Sequence, residues 1–313
     1  MNNENLNNIL ISGISGFVGG NLKQYLQNAY EVIGVSRKES IDNDIISYGK
    51  LDKSSFDKST SFIHLAGKAH DLKKNSGDKE YYEANTELTK KLFNQFLESD
   101  CKVFIYMSSV KATADVVDGV LDENHISKPV TAYGKSKLAA EEYILSKQVT
   151  NKKRVYILRP CMIHGPNNKG NLNLLYNFVE KGIPYPFGKY ENQRSFLSVE
   201  NLCFLIRELI ENDQIPGGVY NVADDKTLST KDLVEIIGQT IGKKVSVLNI
   251  PKFIISLLAK IGDYLPIPIN SERLQKLTEN YVVSNKKIKK VMQKEFPLTG
   301  KKGIELTVKS FNT

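Results

Sequence analysis

Residues 9–19 read ILISGISGFVG, a short apolar run followed by glycines at positions 13, 16 and 19. An amphipathic stretch begins at Phe17, so the glycines fall in a predicted turn between a strand and a helix. Such a turn lets backbone amides and a helix N-terminus approach a pyrophosphate. The spacing G-x-x-G-x-x-G differs from the G-x-G-x-x-G fingerprint of dinucleotide-binding proteins, so an ordinary tight turn is the alternative.

The first half of the chain alternates short β-branched runs with longer amphipathic segments, which is typical of a parallel sheet covered by helices on both faces. The predicted strands are residues 9–11, 32–35, 62–65, 103–106 and 155–158, and the predicted helices are 17–27, 81–97 and 133–147. The pattern predicts the α/β class with a doubly wound parallel sheet, the Rossmann arrangement.

The regular alternation ends after Arg159-Pro160, where a loop at 165–171 precedes a predicted helix at 174–181. A returning strand is predicted at 219–222, and a helix capped by Ser229 or Thr230 follows it. We therefore expect two interleaved domains. Residues 1–165 and 192–225 would form the Rossmann domain, and 166–191 and 226–313 a smaller α/β domain for the substrate.

The net charge is +8, from 43 basic and 35 acidic residues, and part of the excess lies in the lysine-rich run 285–290. That run has no interleaved aromatics, so a solvated helix face is favoured over nucleic-acid binding.

The three cysteines are widely spaced and predict neither disulfides nor a metal site. The N-terminus lacks a signal-peptide pattern, and the apolar stretch 253–258 is too short to span a bilayer. We expect a cytoplasmic protein without membrane insertion.

The second predicted strand ends in Ser36-Arg37-Lys38, where an acidic residue would normally bind the adenine ribose of NAD. Arg37 and Lys38 could pair with the 2′-phosphate of NADP instead. The cofactor predicted from these residues is NADP(H) or NAD(H), with a preference for NADP(H).

Tyr133 and Lys137 are four residues apart on a predicted helix, so their side chains share one face. A lysine cation there can favour the tyrosinate and let the phenol exchange a proton with a substrate hydroxyl or carbonyl. Ser109 follows a predicted strand and is placed to hydrogen-bond the same reacting oxygen. The three residues predict a catalytic group for a nicotinamide-dependent oxidoreductase.

Several motifs in this order resemble the extended short-chain dehydrogenases/reductases, in particular their NAD-dependent epimerase/dehydratase branch that acts on nucleotide sugars. They are the glycine turn, His64-Leu65-Ala66-Gly67, Asn85, Ser108-Ser109, the Tyr133/Lys137 pair, Arg159-Pro160 and Arg194-Ser195-Phe196. The resemblance covers essentially the whole chain. It also implies a homodimer through the helices at 81–97 and 133–147.

The resemblance assigns roles to individual residues. Tyr133 would be the acid/base, Ser109 would steady the substrate oxygen, and Lys137 would lower the Tyr133 pKa and grip the nicotinamide ribose. The implied cofactor-binding residues are Gly13, Gly16, Phe17, Val18, Gly19, Ser36, Arg37, Leu65, Ala66, Gly67, Asn85, Ser108, Tyr133, Lys137, Pro160 and Met162. The implied UDP-sugar contacts are Ser109, Asn171, Phe187, Arg194 and Arg273.

Two departures from the family's patterns narrow the reaction. Ser109 is followed by Val110 and Lys111, whereas 4,6-dehydratases carry an acidic pair there and GDP-4-keto-6-deoxymannose epimerase/reductases carry a cysteine. Two reactions remain. The favoured one is reduction of the 4-keto group of a UDP-4-keto-6-deoxy-N-acetylhexosamine for bacterial surface polysaccharide, as in UDP-N-acetyl-quinovosamine-type reductases. The alternatives are a UDP-sugar 4-epimerase that retains NAD and, from another class, a non-catalytic cofactor-binding scaffold.

Overall fold

The computed structural model describes residues 8–37, 44–68, 77–168, 170–266 and 269–311, with the backbone only for Asn171. Lys38, one of the two cations predicted to select NADP(H), lies outside these ranges. The strands are β1 (Asn8–Ser12), β2 (Glu31–Ser36), β3 (Ile45–Ser47), β4 (Ser61–His64), β5 (Val103–Met107), β6 (Val120–Leu121), β7 (Arg154–Pro160), β8 (Met162–His164), β9 (Phe196–Ser198), β10 (Gly218–Val222) and β11 (Val282–Val283).

The helices of the described residues begin with α1 (Phe17–Leu26), α2 (Lys53–Asp57), α3 (Asp78–Tyr82), α4 (Leu88–Glu98), α5 (Ala132–Leu145) and α6 (Asn171–Glu180). They continue with α7 (Val199–Glu211), α8 (Thr230–Thr240), α9 (Lys252–Gly262), α10 (Ser271–Thr278), α11 (Lys286–Met292) and α12 (Gly300–Lys309). Ser229 caps α8 through a reciprocal capping box with Asp232, as the sequence predicts.

The central sheet has seven parallel strands in the order β10-β7-β5-β4-β1-β2-β3. The strand order reverses between β1 and β4, and ligands of such sheets bind at this point, beyond the carboxyl ends of the strands. The predicted α/β class and doubly wound parallel sheet are confirmed.

Side chains alternate between the two faces of the sheet. Ile105 and Met107 of β5 pack into the core beneath α1, α7 and α11, whereas Phe104 and Tyr106 point to the core beneath α2, α4 and α5. Both faces are apolar because both are covered, which is the usual state of a parallel sheet.

A third core is built by α6, α8, α9, α10 and α12, from residues such as Tyr176, Ile237, Ile255 and Ile304. Most of its residues come from the segments that the sequence assigns to the smaller domain, although Phe196 of β9 also belongs to it. The exact domain boundaries stay a prediction.

Candidate active site

The glycine turn lies between β1 and α1, at the carboxyl edge of the sheet. Gly13 has a φ of +74°, and a Cβ atom there would lie 2.7 Å from the backbone nitrogen of Ala66. Only glycine therefore lets this turn meet the turn that follows β4. Gly16 precedes α1 with extended backbone, and no side chain caps the helix. The first amides of α1, which include those of Phe17 and Val18, thus fit the anionic pyrophosphate of a dinucleotide.

A buried hydrogen-bond chain crosses the point where the strand order reverses. The backbone amide of Ala66 donates to Ser12 Oγ at 3.3 Å, and Ser12 Oγ lies 2.6 Å from His64 Nδ1. His64 Nε2 lies 2.9 Å from Thr89 Oγ1, which donates to the carbonyl oxygen of Asn85 at 2.7 Å. Because the Thr89 hydroxyl already donates, it accepts from Nε2–H, and the Ser12 hydroxyl donates to Nδ1. Burial lowers the pKa of His64 to about 3, so the imidazole is neutral and structural.

Asn85 fixes the turn at residues 65–68, which contains the predicted cofactor residues Leu65, Ala66 and Gly67. It sits in a π-helical turn, Glu83–Glu87, that joins α3 to α4. Its side chain accepts from the backbone amide of Lys68 at 2.8 Å and donates to Ser136 Oγ at 3.0 Å. The predicted supporting role of Asn85 thus has a geometric basis, since its amide holds the turn to α5.

Ser108 and Ser109, at the end of β5, face different partners. The buried Ser108 hydroxyl donates to Glu141 Oε1, and Glu141 also accepts from Arg159 Nε at 3.0 Å. Glu141 is 0% exposed and Arg159 6% exposed, so this is a buried ion pair next to the end of β5. The Ser108 side chain is therefore engaged in the protein, and its backbone amide donates to the carbonyl oxygen of Leu158 at 2.8 Å. Its contact with the cofactor stays a prediction.

Ser109 begins the short 3₁₀ turn Val110–Ala112, and its Oγ accepts from the amide of Lys111 at 3.2 Å. It also forms a hydrogen bond with the side chain of Tyr133. The two hydroxyl groups predicted to bind one substrate oxygen are therefore brought together across 24 residues of sequence.

The start of α5 is held so that Tyr133 reaches Ser109. Thr131 caps the helix by accepting from the amide of Gly134 at 3.2 Å, and its hydroxyl donates to Asp115 at 3.1 Å. A Cβ atom at Gly134 would overlap the carbonyl oxygen of Lys111, so glycine allows α5 to pack directly on the 3₁₀ turn. Tyr133 also packs edge-on against Tyr81, with ring centroids 6.2 Å apart.

The pKa of Tyr133 differs from the prediction. Burial raises it, and the hydrogen bond with Ser109 offsets part of the rise. Lys137 was expected to lower this pKa, but its ammonium donates to the carbonyl oxygen of Met107 at 2.8 Å and lies 4.9 Å from the centroid of the Tyr106 ring. The hydroxyl of Ser109 is thus the group that favours the tyrosinate here.

The Lys137 side chain is buried on α5, one turn after Tyr133. Burial lowers its pKa to about 8, and the charge of Glu141 acts in the opposite direction. A depressed lysine pKa means that the unfolded chain holds the proton more tightly than the folded chain. The cost to stability is present in full below about pH 8 and disappears as the pH rises toward the ordinary value of 10.5.

Lys137→Met should therefore raise the free energy of unfolding at pH 7 by about 2 kcal/mol. A pKa shift of this size corresponds to a destabilisation of about 3 kcal/mol, which the substitution removes. The loss of the hydrogen bond to Met107 costs about 1 kcal/mol of stability. Urea unfolding at pH 7 and pH 10 checks this, because the gain should shrink at the higher pH. A variant less stable than the wild type at pH 7 would contradict the assignment of an unfavourable buried charge.

The other predicted cofactor residues lie along the same edge of the sheet. Ser36 ends β2, its carbonyl accepting from the amide of Tyr48 at 3.0 Å, and Arg37 follows it, exposed. Pro160 ends β7 and Met162 begins β8. Gly19 is buried in α1. All of these residues except Gly19 therefore lie at or just beyond strand ends, where the fold predicts a dinucleotide.

The predicted substrate residues lie on the side of the third core. Arg194 Nη1 donates to the carbonyl oxygen of Lys276 at 2.8 Å, and Nη2 lies 3.6 Å from Glu279, so the end of α10 holds the guanidinium. Arg273 is exposed on α10, and Phe187 is buried between Tyr185 and Tyr190. Asn171 begins α6, and its side chain is not among the described atoms.

Four supporting residues were missed by the sequence predictions: Asp115, Thr131, Glu141 and Tyr281. Tyr281 donates to the carbonyl oxygen of Ala114 at 2.7 Å, and the Lys111 ammonium lies 4.3 Å from its ring centroid. Glu141 had a detectable signal, because it continues the Tyr133/Lys137 face of α5 at the next four-residue step.

Within the described ranges, no group of three or more His, Cys, Asp or Glu side chains could hold a metal ion.

Comparison with known proteins places the chain in a family. The NAD dependent epimerase/dehydratase family matches residues 9–223. A UDP-glucose 4-epimerase of Vibrio cholerae is 29% identical over 97% of this chain and 95% of its own length. An N-acetyl-alpha-D-glucosaminyl-diphospho-ditrans,octacis-undecaprenol 4-epimerase of Escherichia coli O157:H7 is 27% identical over 90% of this chain and 85% of its own.

The solved structures agree in fold. The crystal structure of UDP-N-acetylglucosamine 4-epimerase from Bacillus cereus has a TM-score of 0.77, 17% identity, and covers 98% of this chain and 99% of its own. Together with the family match over more than half of the chain, this confirms the family resemblance and the assignment as an enzyme. The chain belongs to the NAD-dependent epimerase/dehydratase family.

Proposed function

We propose that this enzyme is a UDP-sugar 4-epimerase that oxidises the C4 hydroxyl of a hexose and reduces the resulting ketone from the opposite face. The observation that carries the proposal is the Ser109–Tyr133 hydroxyl pair, with Lys137 one helical turn further along α5. One acid/base group at one carbon suffices for this reaction, because the proton removed on oxidation is the proton returned on reduction.

The residues of this chain would hold the dinucleotide along the carboxyl edge of the sheet. The uncapped start of α1 would take the pyrophosphate, Ser36 and Arg37 the adenosine ribose, and Lys137 the nicotinamide ribose. Bound nicotinamide supplies the acceptor and donor of the hydride. Backbone and apolar contacts from residues 65–67, Pro160 and Met162 would orient it.

The protein's own part in the chemistry is proton transfer and orientation. Tyr133 would take the proton from the C4 hydroxyl as the hydride leaves C4 and return it when the hydride comes back. Ser109 would donate a hydrogen bond to the same oxygen and stabilise the charge that develops there. Because burial raises the Tyr133 pKa, a positive charge nearby is needed to ionise the phenol at neutral pH, and Lys137 is the cation on the same helix face.

Dehydration requires a further acid or base next to the reacting carbon, and the described residues that follow Ser109 do not offer one. Val110 and Ala112 are buried and apolar, and the Lys111 ammonium donates to the carbonyl oxygen of Asp115 at 2.7 Å. Glu141 is engaged by Arg159 and Ser108. The local chemistry therefore favours a reaction confined to one carbon.

We propose epimerisation ahead of the 4-ketoreduction that the sequence favours, because the two relatives described above are both named 4-epimerases. Their names differ in the carrier, a nucleotide in one and a lipid diphosphate in the other. A diphosphate is common to both, and Arg194, whose guanidinium packs on the end of α10, is the residue proposed to bind it. The UDP form is proposed from the name of the Vibrio relative.

The test is proton NMR of UDP-glucose and of UDP-N-acetylglucosamine incubated with the purified enzyme and a trace of NAD⁺. We expect the C4 epimers to accumulate to equilibrium with no net change in reduced cofactor. A stoichiometric loss of NADPH or NADH with UDP-4-keto-6-deoxy-N-acetylglucosamine, without any epimer, would overturn the proposal.

That second outcome would establish the 4-ketoreductase, which Arg37 supports as the second candidate. Its exposed guanidinium follows β2 and could bind the 2′-phosphate of NADP(H), a cofactor that a reductase must exchange at every turnover.

The homodimer through α4 and α5 is likewise a proposal, and sedimentation equilibrium would measure it.

A further inference from the structure

Helix α9 carries a large apolar surface that the described part of the chain leaves uncovered. Its outward residues, called here the apolar face of α9, are Phe253, Leu257, Leu258, Ile261, Tyr264 and Leu265, and they are between 40% and 89% exposed. Single exposed apolar residues are ordinary, but six on one short helix and its end form a contiguous patch.

Three sectors can be distinguished around the axis of the helix. Ile255 and Ala259 are 3% and 1% exposed and pack into the third core. Lys252, Ser256 and Lys260 follow one another at four-residue steps and form a polar strip. At about 100° per residue, the apolar face spans roughly 140° on the side away from both. The helix is therefore anchored by a narrow stripe and presents its widest sector outward.

The charges beside the apolar face favour an anionic occupant. The polar strip carries Lys252 and Lys260, and the chain as a whole has a net charge of +8. The acidic residue at the helix end, Asp263, accepts from the amide and hydroxyl of Ser271 at 2.9 and 2.6 Å. A second copy of this helix would bring two more lysines and only this one carboxylate, which already accepts from Ser271, so like charges would predominate between the copies.

An apolar face flanked by lysines, with an aromatic residue at its end, has the features of helices that lie in the interface of a lipid bilayer. Tyr264 is 89% exposed and has the amphipathic ring that suits the headgroup level. None of the described helices has the length and apolar composition to cross a bilayer. We propose that α9 docks this enzyme on an anionic membrane surface, with the apolar face in the headgroup region and Lys252 and Lys260 on acidic headgroups.

The contacts of α9 connect this surface to two of the residues predicted to bind the substrate, Phe187 and Arg194. The Lys252 ammonium lies 5.4 Å from the ring centroid of Tyr190, which packs on Phe187. At the other end, Asp263 holds the start of α10, whose last turn accepts from Arg194. Docking would therefore fix the orientation of these residues relative to the membrane. This inference goes beyond the proposed reaction and does not depend on it.

Vesicle sedimentation with the full chain tests the proposal. We expect the protein to pellet with vesicles of phosphatidylcholine and phosphatidylglycerol in equal parts, much less with phosphatidylcholine alone, and less at high salt. The Leu257→Gln/Ile261→Gln variant should partition at least about tenfold more weakly, because two side chains no longer enter the interface. The matched control is Leu174→Gln/Leu306→Gln, which changes two exposed leucines on α6 and α12 and should pellet like the wild type.

Circular dichroism and thermal unfolding of both variants establish that each is folded. Wild-type protein that stays in the supernatant with both kinds of vesicle would overturn the proposal, as would equal pelleting of the wild type and the α9 variant. A dimer in sedimentation equilibrium that the α9 variant abolishes would assign the face to a second copy and also overturn it. Activity is not part of the readout, so failure here leaves the 4-epimerase proposal standing.

Discussion

Tyr133→Phe should lower kcat by at least about a hundredfold, the typical effect of removing a general acid/base. The variant keeps the ring that packs against Tyr81 and loses only the hydroxyl that bonds to Ser109. Because the fold and the cofactor contacts are retained, the affinities for NAD⁺ and UDP-sugar should change by no more than a few-fold. Initial rates of epimerisation and equilibrium binding measure the two effects separately.

The matched control for this prediction is Tyr82→Phe, the same change at a tyrosine of α3 that is 36% exposed. Its kcat should stay within a factor of two of the wild type. If Tyr133→Phe keeps its turnover within a few-fold while binding is unchanged, the acid/base assignment is wrong.

Glu141→Ala should lower the free energy of unfolding by about 3–5 kcal/mol, the usual cost of removing one partner from a buried ion pair. Glu141 is completely buried, and its carboxylate accepts from Arg159 Nη2 at 2.5 Å as well as from Ser108. The substitution leaves a guanidinium 6% exposed and without its carboxylate. Urea unfolding at neutral pH gives the number directly.

Two further variants separate the buried pair from an ordinary charge effect. Glu141→Leu/Arg159→Met should recover most of the loss, because no unpaired charge remains. Glu235→Ala breaks the exposed Lys231–Glu235 pair of α8, with both side chains 43% exposed, and should cost less than about 1 kcal/mol. A double variant as unstable as Glu141→Ala alone would show that packing, and not the uncompensated charge, accounts for the loss.

The central sheet was predictable because each strand is a short β-branched or aromatic run between turn signals. All five strands predicted in the first half are present, with ends shifted by at most two residues. The helix predicted at 81–97 was harder to describe, because its apolar periodicity is continuous. The structure divides it at the π-helical turn Glu83–Glu87, where the side chain of Asn85 turns to Lys68 and Ser136. That division depends on a tertiary contact that the local pattern does not contain.

β3 and the small strands β6, β8, β9 and β11 were not predicted either. They are two or three residues long. All of them except β3 pair with segments that are far apart in sequence, as in β11 with β6. Runs this short carry too little periodicity to be distinguished from loops. The topology of the sheet, and not the local sequence, produces them.

The shared location of Ser109, Tyr133 and Lys137 was predictable because residue type and spacing placed them at the same edge of the sheet. The residues that hold these three side chains in position were harder to predict. Asp115 and Thr131 meet across a loop, and Glu141 pairs with Arg159 from the next strand, so both depend on how β5, α5 and β7 pack. The predicted effect of Lys137 on the Tyr133 pKa stays a prediction. The sequence does not reveal that the Met107 carbonyl accepts from the ammonium or that burial raises this pKa.

In the proposed reaction a hydride leaves C4 of the sugar and returns to the same carbon within one active site. The most direct measurement uses UDP-glucose deuterated at C4, incubated with the enzyme and unlabelled NAD⁺ and analysed by NMR and mass spectrometry. We predict that the C4 epimer forms and keeps its deuterium at C4, since the hydride does not exchange with water. Formation of the epimer with hydrogen at C4, or no C4 epimer from either UDP-hexose, would contradict it.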